Sequence, residues 1–470
     1  MGRTRPAWRG FATLGSIAVL AALTGGGITA AGKTQASRPV TLTVEINGVL
    51  HGKNAAEAIW LSRDVFPRFE KSMAARGHPI HITLVGSGVS GTDYANALAL
   101  DIKAGGGPDI FDLDGPYYGE FASAGYLKPL DKVIGPQVSR WPGWKQIPPA
   151  VQAITQFNGQ QYGIPGGTDA RVLFYNTRLF HQAGIQTPWQ PTSWADLIAT
   201  AKTLQQKDPG IEALQIDGGA AMGEATTLQG FLPMLAGAGQ LLYSQTTSKW
   251  QGNTPAMRAA ANFYHTIYSS GVANAQLQLG PNGRNQTFQA FAENKVGIYS
   301  ESEYLYESVI VDNGTGLYPM PNRNQDVGWA FIPAETPGAG LRGQNFVSMS
   351  GGGGTTINPN SKHPQLAWDL LTYMDSTQSL LRYEPLKQFI SSNRSVNKVA
   401  LASDPLLTFI SQKVLPITAY RPSLAVYPQV SLLIQQLSQN LATGMSVSNA
   451  LHSYVTQLKK TVGAGNVTNS

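Results

Sequence analysis

Three carboxylates crowd one short run of this chain. Asp109, Asp112 and Asp114 fall in DIFDLDGPYYGEF (residues 109–121), an apolar stretch followed by two tyrosines. On an extended strand Asp112 and Asp114 project to the same side. Paired carboxyls of this kind serve two chemistries. They hydrolyse a glycosidic bond, one as acid and one as nucleophile, or they accept hydrogen bonds from ligand hydroxyls while Tyr117 or Tyr118 covers a sugar face. A third role is structural: one of the acids caps the next helix. A second acid stands beside a base at Asp169 and Arg171, inside YGIPGGTDARVLFYN (162–176). Two glycines, then acid and base, then the apolar run VLFY fit a hinge at the mouth of a cleft; the plainer reading is a surface ion pair.

Other motifs carry less. GSGVSG (86–91) has the GxGxxG spacing between a strand and a helix, and Asp109 lies about 20 residues on, as in a dinucleotide-binding turn. It does not sit on the first strand of its unit, so we read it as a flexible strand–helix turn. GGGG (351–354) lacks the Lys-Ser/Thr of a phosphate loop. The seven histidines (51, 78, 81, 181, 265, 363, 452) are scattered and do not form a metal motif. With no cysteine, disulfides, thiolate catalysis and Cys-ligated metal are excluded. No cofactor is expected.

The elements that must position these residues alternate. Strands are expected at 41–46, 81–85, 109–113 and 171–175. Helices are expected at 55–75 (with a kink at Pro67), from about Asp93 to Ala104 with Thr92 or Asp93 as cap, and over 193–206 with Ser193 as cap. Further helices are expected near 255–269 and 285–293, and strands at 295–300 and 327–332. The last third is mostly helical, at 364–374, 376–384, 430–442 and 446–461. Repeated β-α-β units imply an α/β fold with parallel pairing. A chain of 470 residues exceeds one ordinary core, so two α/β lobes are expected.

The N-terminus reads as a secretory signal peptide over 1–36. Arg3, Arg5 and Arg9 precede the apolar run FATLGSIAVLAAL (11–23) and a small-residue stretch. Cleavage is expected after Ala36, with other small-residue sites between Ala30 and Ala36. Its removal takes the net charge from +6 to +2, which leaves no electrostatic case for nucleic acid. Charged residues are 13% of the chain, about half the usual ~25%.

Several segments, in order, resemble extracellular solute-binding proteins of ABC importers, in the sugar-binding group that includes maltose- and trehalose-type receptors. They are GGGPDIFDLDGPYYGEFASAGYLKPLDKVI (105–134), FNGQQYGIPGGTDARVLFYNTRLFHQAGI (157–185), TSWADLIATAKTL (192–204), FAENKVGIYSESEYLYE (291–307), SMSGGGGTTINPNSKHPQLAWDLLTYM (348–374) and AYRPSLAVYPQVS (419–431). The resemblance implies a two-lobed α/β fold of type II, each lobe a mostly parallel sheet flanked by helices. Three segments cross between the lobes, within 162–171 and near 327–334 and 370–376. The N-terminal lobe is then 37–168 with 329–372, and the C-terminal lobe 169–328 with 373–470.

By the same resemblance, ligand contacts fall on Asn47, Gly48 and His51 after the first strand, and on Asp112, Asp114, Tyr117 and Tyr118. Further contacts are Asp169 and Arg171; Glu301 and Tyr304, where the family often holds a stacking Trp; and Asn345 with Gly351, Gly352 and Gly353. Arg421 and Tyr427 complete the set. It also implies a non-enzymatic monomer that binds a sugar or oligosaccharide, closes on it, and presents it to ABC permease subunits in a membrane. Leu23-Thr24-Gly25-Gly26 has Gly where lipidated members carry Cys, so a periplasmic or secreted protein without a lipid anchor is expected. The alternatives are an exported glycoside hydrolase using the Asp112 region, an oxidoreductase using GSGVSG, and a receptor for a polyamine, an amino acid or glycerol phosphate. A cationic ligand would need several acids in the cleft; an anionic one would recruit Arg171 and Arg421.

Overall fold

The computed structural model describes residues 39–469; the expected signal peptide lies outside them. In chain order the elements that frame the site begin with β1 (Val40–Ile46), α1 (Ala55–Trp60), α2 (Phe66–Ala75), β2 (Ile80–Gly86), α3 (Gly91–Lys103) and β3 (Ile110–Asp114). β1 lies parallel to β2 and β3, as the β-α-β pattern predicts. Alternation decides which face of β1 is buried: Leu42, Val44 and Ile46 turn into the core and the residues between them do not. The expected kink at Pro67 takes a softer form. The helix runs from α1 into α2 through one wide turn, Leu61–Val65, just before the proline, whose missing N–H leaves the ordinary ladder incomplete. The cap of α3 is Ser90, whose Oγ accepts from the Asp93 N–H at 3.1 Å, rather than Thr92 or Asp93.

The chain then leaves this sheet. β4 (Gly163–Pro165) belongs to it, whereas β5 (Arg171–Asn176) belongs to a second sheet with β6 (Glu212–Gln215), β7 (Val296–Ser302) and β8 (Val327–Ala330), in the order β8-β5-β7-β6. β9 (Phe346–Ser350) pairs with the short strand Ile332–Pro333 and with β11 (Thr418–Tyr420); between them in sequence, β10 (Gly353–Ile357) inserts between β3 and β4. The first sheet is therefore ordered β2-β1-β3-β10-β4.

Both sheets are mixed rather than mostly parallel. β10 runs antiparallel to β3 and β4, and β5 runs antiparallel to β7 and β8. β5 follows β4 of the first sheet, and β10 follows β9 of a separate three-stranded sheet, each without a crossover helix, so nothing forces them parallel. The sheets also change partners elsewhere than expected. Residues 327–330 pair with β5 inside the second sheet, and the return to the first sheet is made at Gly351–Gly352. Leu370, Leu371 and Met374 of the helix Pro364–Met374 pack in the first sheet's core with Leu42, Val44 and Trp368, so no crossing occurs at 370–376. That core also takes Leu380 and Tyr383. The second sheet packs a larger core, with Trp194, Leu197, Phe231 and Tyr264 on one side and Phe174, Phe291 and Leu406 on the other. No described helix is long and apolar enough to cross a membrane.

Candidate functional site

A cavity of about 880 Å³ is lined by residues from both sheets and their helices. Asp112 lies on its first-sheet wall. Its Oδ2 accepts from the Asn47 N–H at 3.2 Å, and Asn47 O accepts from Asn54 Nδ2 at 2.9 Å. Asn54 holds a left-handed backbone (φ 49°), which ends the loop and starts α1. Asp112 Oδ1 and Asn47 Oδ1 are buried with no hydrogen-bond partner among the described residues. Both residues line the cavity, so a guest hydroxyl or ammonium that reached these oxygens would pair acceptors the fold leaves unsatisfied. Burial, then the neighbouring Glu57 carboxyl, holds Asp112 well above the usual carboxylate range. Burial, then Arg284, lowers Lys53 to about 8.

Asp114, two residues on, plays the capping part as well as facing the cavity. Its Oδ1 accepts from the Gly115 N–H at 2.9 Å and from Arg421 Nη2 at 3.1 Å. Arg421 also donates from Nη1 to Glu224 Oε2 at 2.8 Å, and Tyr427 Oη donates to the same oxygen at 3.0 Å. Arg421 thus ties the first sheet to the start of the helical segment at 224–231.

Asp169 and Arg171 form a two-armed pair, the second arm Nη2 to Oδ2 at 3.1 Å. It is no surface pair. The Arg171 side chain is 4% exposed; it also donates from Nε to Gln229 Oε1 at 3.1 Å, while Asp169 takes the Gly351 N–H. The glycines before them are there for close approach. A Cβ on Gly167 would stand 2.4 Å from Ile390 O, because the 390–392 segment runs alongside, with Thr168 N donating to Ile390 O and Ser392 N to Gly166 O, each at 3.1 Å. Gly352 has φ 131° and would place a Cβ 2.7 Å from Gly167 O, so the two passages between sheets press against one another.

On the second-sheet wall Arg284 donates to Glu301 Oε2 from Nε at 3.0 Å and from Nη2 at 2.6 Å, with Asp217 Oδ2 3.7 Å away. Glu303 is buried, accepts from the Ala170 N–H at 3.2 Å, and is pushed up to about 8 by burial and then by Asp169. Aromatic rings line the space as well. Trp60 stacks on Tyr383 with centroids 4.6 Å apart, Phe389 packs at 5.2 Å from Tyr383, and Phe288 at 6.2 Å from Tyr304.

Of the residues expected from sequence, Asn47, Asp112, Asp114, Tyr117, Asp169 and Arg171 line the cavity, as do Tyr304, Gly352, Gly353 and Arg421. The others stand elsewhere. His51 is exposed on its loop, and Asn345 is exposed, its carbonyl accepting from the Ala334 N–H at the edge of β9. Gly48 packs against Asn54 behind the loop. Tyr118 is fully buried and donates to Gly354 O at 3.0 Å. Glu301, Gly351 and Tyr427 act behind the wall, through Arg284, Asp169 and Glu224. Sequence reasoning missed Glu57, Trp60, Arg284, Glu303, Asp375 and Tyr383. Only Glu57 and Trp60 left a signal, three residues apart on the first turns after the Asn47 loop and so on one helix face.

The sequence profile of the family described as bacterial extracellular solute-binding protein matches residues 63–379. A binding protein of Brucella abortus (strain 2308) is 22% identical over 359 residues, 75% of this chain and 79% of that protein. An ABC transporter solute-binding protein from Thermotoga lettingae TMO, solved with α-D-tagatose, superposes with TM-score 0.74 at 24% identity over 90% of this chain and 100% of that one. The maltose-bound T. maritima MalE3 gives TM-score 0.73 at 20% identity over 90% and 99%. Those structures share the two-lobed α/β fold seen here, with a sheet in each half. On its sequence and its fold, this chain belongs to the bacterial extracellular solute-binding proteins.

Proposed function

We propose that the protein is an extracytoplasmic receptor that binds a sugar or oligosaccharide in the cleft and delivers it to the permease of an ABC importer. The observation that carries this reading is the pair of buried, unpartnered oxygens on Asp112 and Asn47, two residues of the wall of a cavity that aromatic side chains also line. Oriented acceptors beside a ring face are what carbohydrate recognition requires. The volume of about 880 Å³ lies near the top of the usual range for small-molecule sites, which suits a guest of more than one ring. The sugars bound by the Thermotoga relatives support the same class.

The two lobes divide at 166–170, where the chain leaves the first sheet, at 351–352, where it returns to it, and at a third passage between Val396 and Leu406. Lobe closure bends these passages. Asp112, Asp114, Tyr117, Asp169, Tyr304 and Arg421 contact the guest or the groups that hold it. The protein turns nothing over. Asp114, the carboxyl a hydrolase would need beside Asp112, is neutralised by Arg421 and engaged by the Gly115 N–H. It acts as a monomer in a periplasm or in the medium.

Titration calorimetry against a panel of mono- and oligosaccharides, with spermidine and glycerol phosphate as outsiders, tests this. Binding without product is expected. Asp112→Asn should weaken the best ligand by about tenfold to a hundredfold, the worth of a charge-assisted hydrogen bond. Sugar hydrolysis abolished by Asp112→Asn, or tightest binding by an outsider, would overturn the receptor reading.

A further inference from the structure

The charge of the cleft narrows the guest further, on the reading that it is a carbohydrate site. Eight carboxyl side chains line the cavity against five cations. All three arginines are engaged: Arg171 by Asp169, Arg421 by Asp114 and Glu224, and Arg284 by Glu301 and Asp217, which do not line the space. An anionic solute therefore finds no free guanidinium there. Glu307 has Arg323 at 3.9 Å. What remains facing the cavity is Glu57, Asp112, Glu303 and Asp375, none of them in an ion pair with a described residue, together with Lys53 and Lys387. Lys53 turns its Nζ to Val89 O at 2.8 Å, and Lys387 stands 6.0 Å from the Tyr304 ring.

Two of these carboxyls are built into the wall. Asp112 Oδ1 is buried and unpartnered. Glu303 is 6% exposed, and its carboxyl accepts from the Ala170 N–H. Burial raises all four above the ordinary carboxyl value, and it outweighs the nearby cations, Lys387 for Glu57, Lys53 for Asp112 and Arg171 for Glu303. A neutral polyol would bring hydrogen bonds and no charge. A guest with an ammonium brings both.

We propose that the solute is an amine-bearing carbohydrate, an amino sugar or short amino-oligosaccharide, whose ammonium lies between Glu57 and Asp112 and whose rings lie along the aromatic wall. Asp375, Asp114, Lys53, Lys387 and Arg284 are the other charged groups around that position. The two lysines oppose an ammonium, and the attraction appears as the guest arrives and draws protons off the raised carboxyls.

The test is calorimetry of the purified protein with D-glucosamine, D-galactosamine, D-mannosamine and the β-1,4-linked glucosamine dimer, each against its parent hydroxyl sugar. At least one amine should bind about tenfold more tightly than its parent, the difference between a charged and a neutral hydrogen bond. Its binding should release protons, seen as heats that vary with the ionisation enthalpy of the buffer, because the ammonium stabilises carboxylates that are partly protonated in the empty cleft. Within Asp112→Asn and within Glu57→Gln the amine-to-parent ratio should fall toward one, a readout internal to each variant and independent of any loss of stability. Parent sugars that bind as tightly as the amines overturn the inference and leave the carbohydrate reading standing. A ratio unmoved by both variants overturns the placement between Glu57 and Asp112. Failure of every sugar in both series overturns the inference and the receptor reading together.

Discussion

The Glu303 carboxyl accepts from the Ala170 N–H, and burial with Asp169 nearby pushes it up to about 8. A carboxyl raised by folding binds its proton more tightly in the folded state than in the unfolded chain, where it ionises near about 4.3. Its contribution is full at low pH and is lost as pH rises from there through about 8, by at most about 1.4 kcal/mol per pH unit. The thermal midpoint should therefore drop between pH 5 and pH 8, and Glu303→Gln should flatten that drop by about a few degrees. A variant whose midpoint tracks the wild type across that range would show that another group carries the dependence. At this scale the sequence was partly legible. Asp112 and Asp114 announced themselves by strand period, and Asp169 with Arg171 by proximity to a glycine pair. Glu303, Arg284 and Asp375 did not, because nothing in their own neighbourhoods distinguishes them from surface charges; they face the cleft only because distant elements put them there.

Among the elements, the passages between the sheets carry the most constraint. Gly167 is held within 2.4 Å of Ile390 O at its would-be Cβ position, so Gly167→Ala must move a backbone carbonyl rather than a flexible side chain. A loss of about 1–3 kcal/mol is expected, measurable by chemical denaturation. Gly166, with nothing within 4 Å of its would-be Cβ, is the control and should tolerate alanine. Equal tolerance at both sites would mean that the 390–392 segment is free to shift. The glycine pair was visible in the sequence, and the chain leaves the first sheet beside it. The reason was not, since flexibility and close packing select the same residue. The strands 40–46, 80–86 and 110–114 were likewise legible from alternation and spacing, because their pairing is local and parallel. β10 was not, because GGTTI has no apolar period and owes its place to strands more than 180 residues earlier.

For the molecule as a whole, Arg421 is a side chain that spans from the first sheet to the segment after β6. It holds Asp114 of the first sheet and Glu224 beyond β6 at once, with its side chain 5% exposed. Replacing it with methionine leaves two carboxyls facing each other with no cation. Stability should fall by about 3 kcal/mol or more. The ligand-free protein should also give a larger radius of gyration in small-angle scattering, since the surviving link is repulsive. An unchanged scattering curve with the expected loss of stability would mean that Arg421 supports the wall of the cleft without holding it shut.

Sequence alone determined the alternation of strands and helices, the class of fold, the family, and a minority of the residues that line the cavity, because these depend on residue type at short period or on ordered local motifs. Tertiary structure decided which sheet each late strand joins, where the chain crosses between halves, and which charges remain without partners. Those properties arise from pairings between residues far apart in the chain, and a charge is left bare or neutralised only once the whole fold has chosen its neighbours.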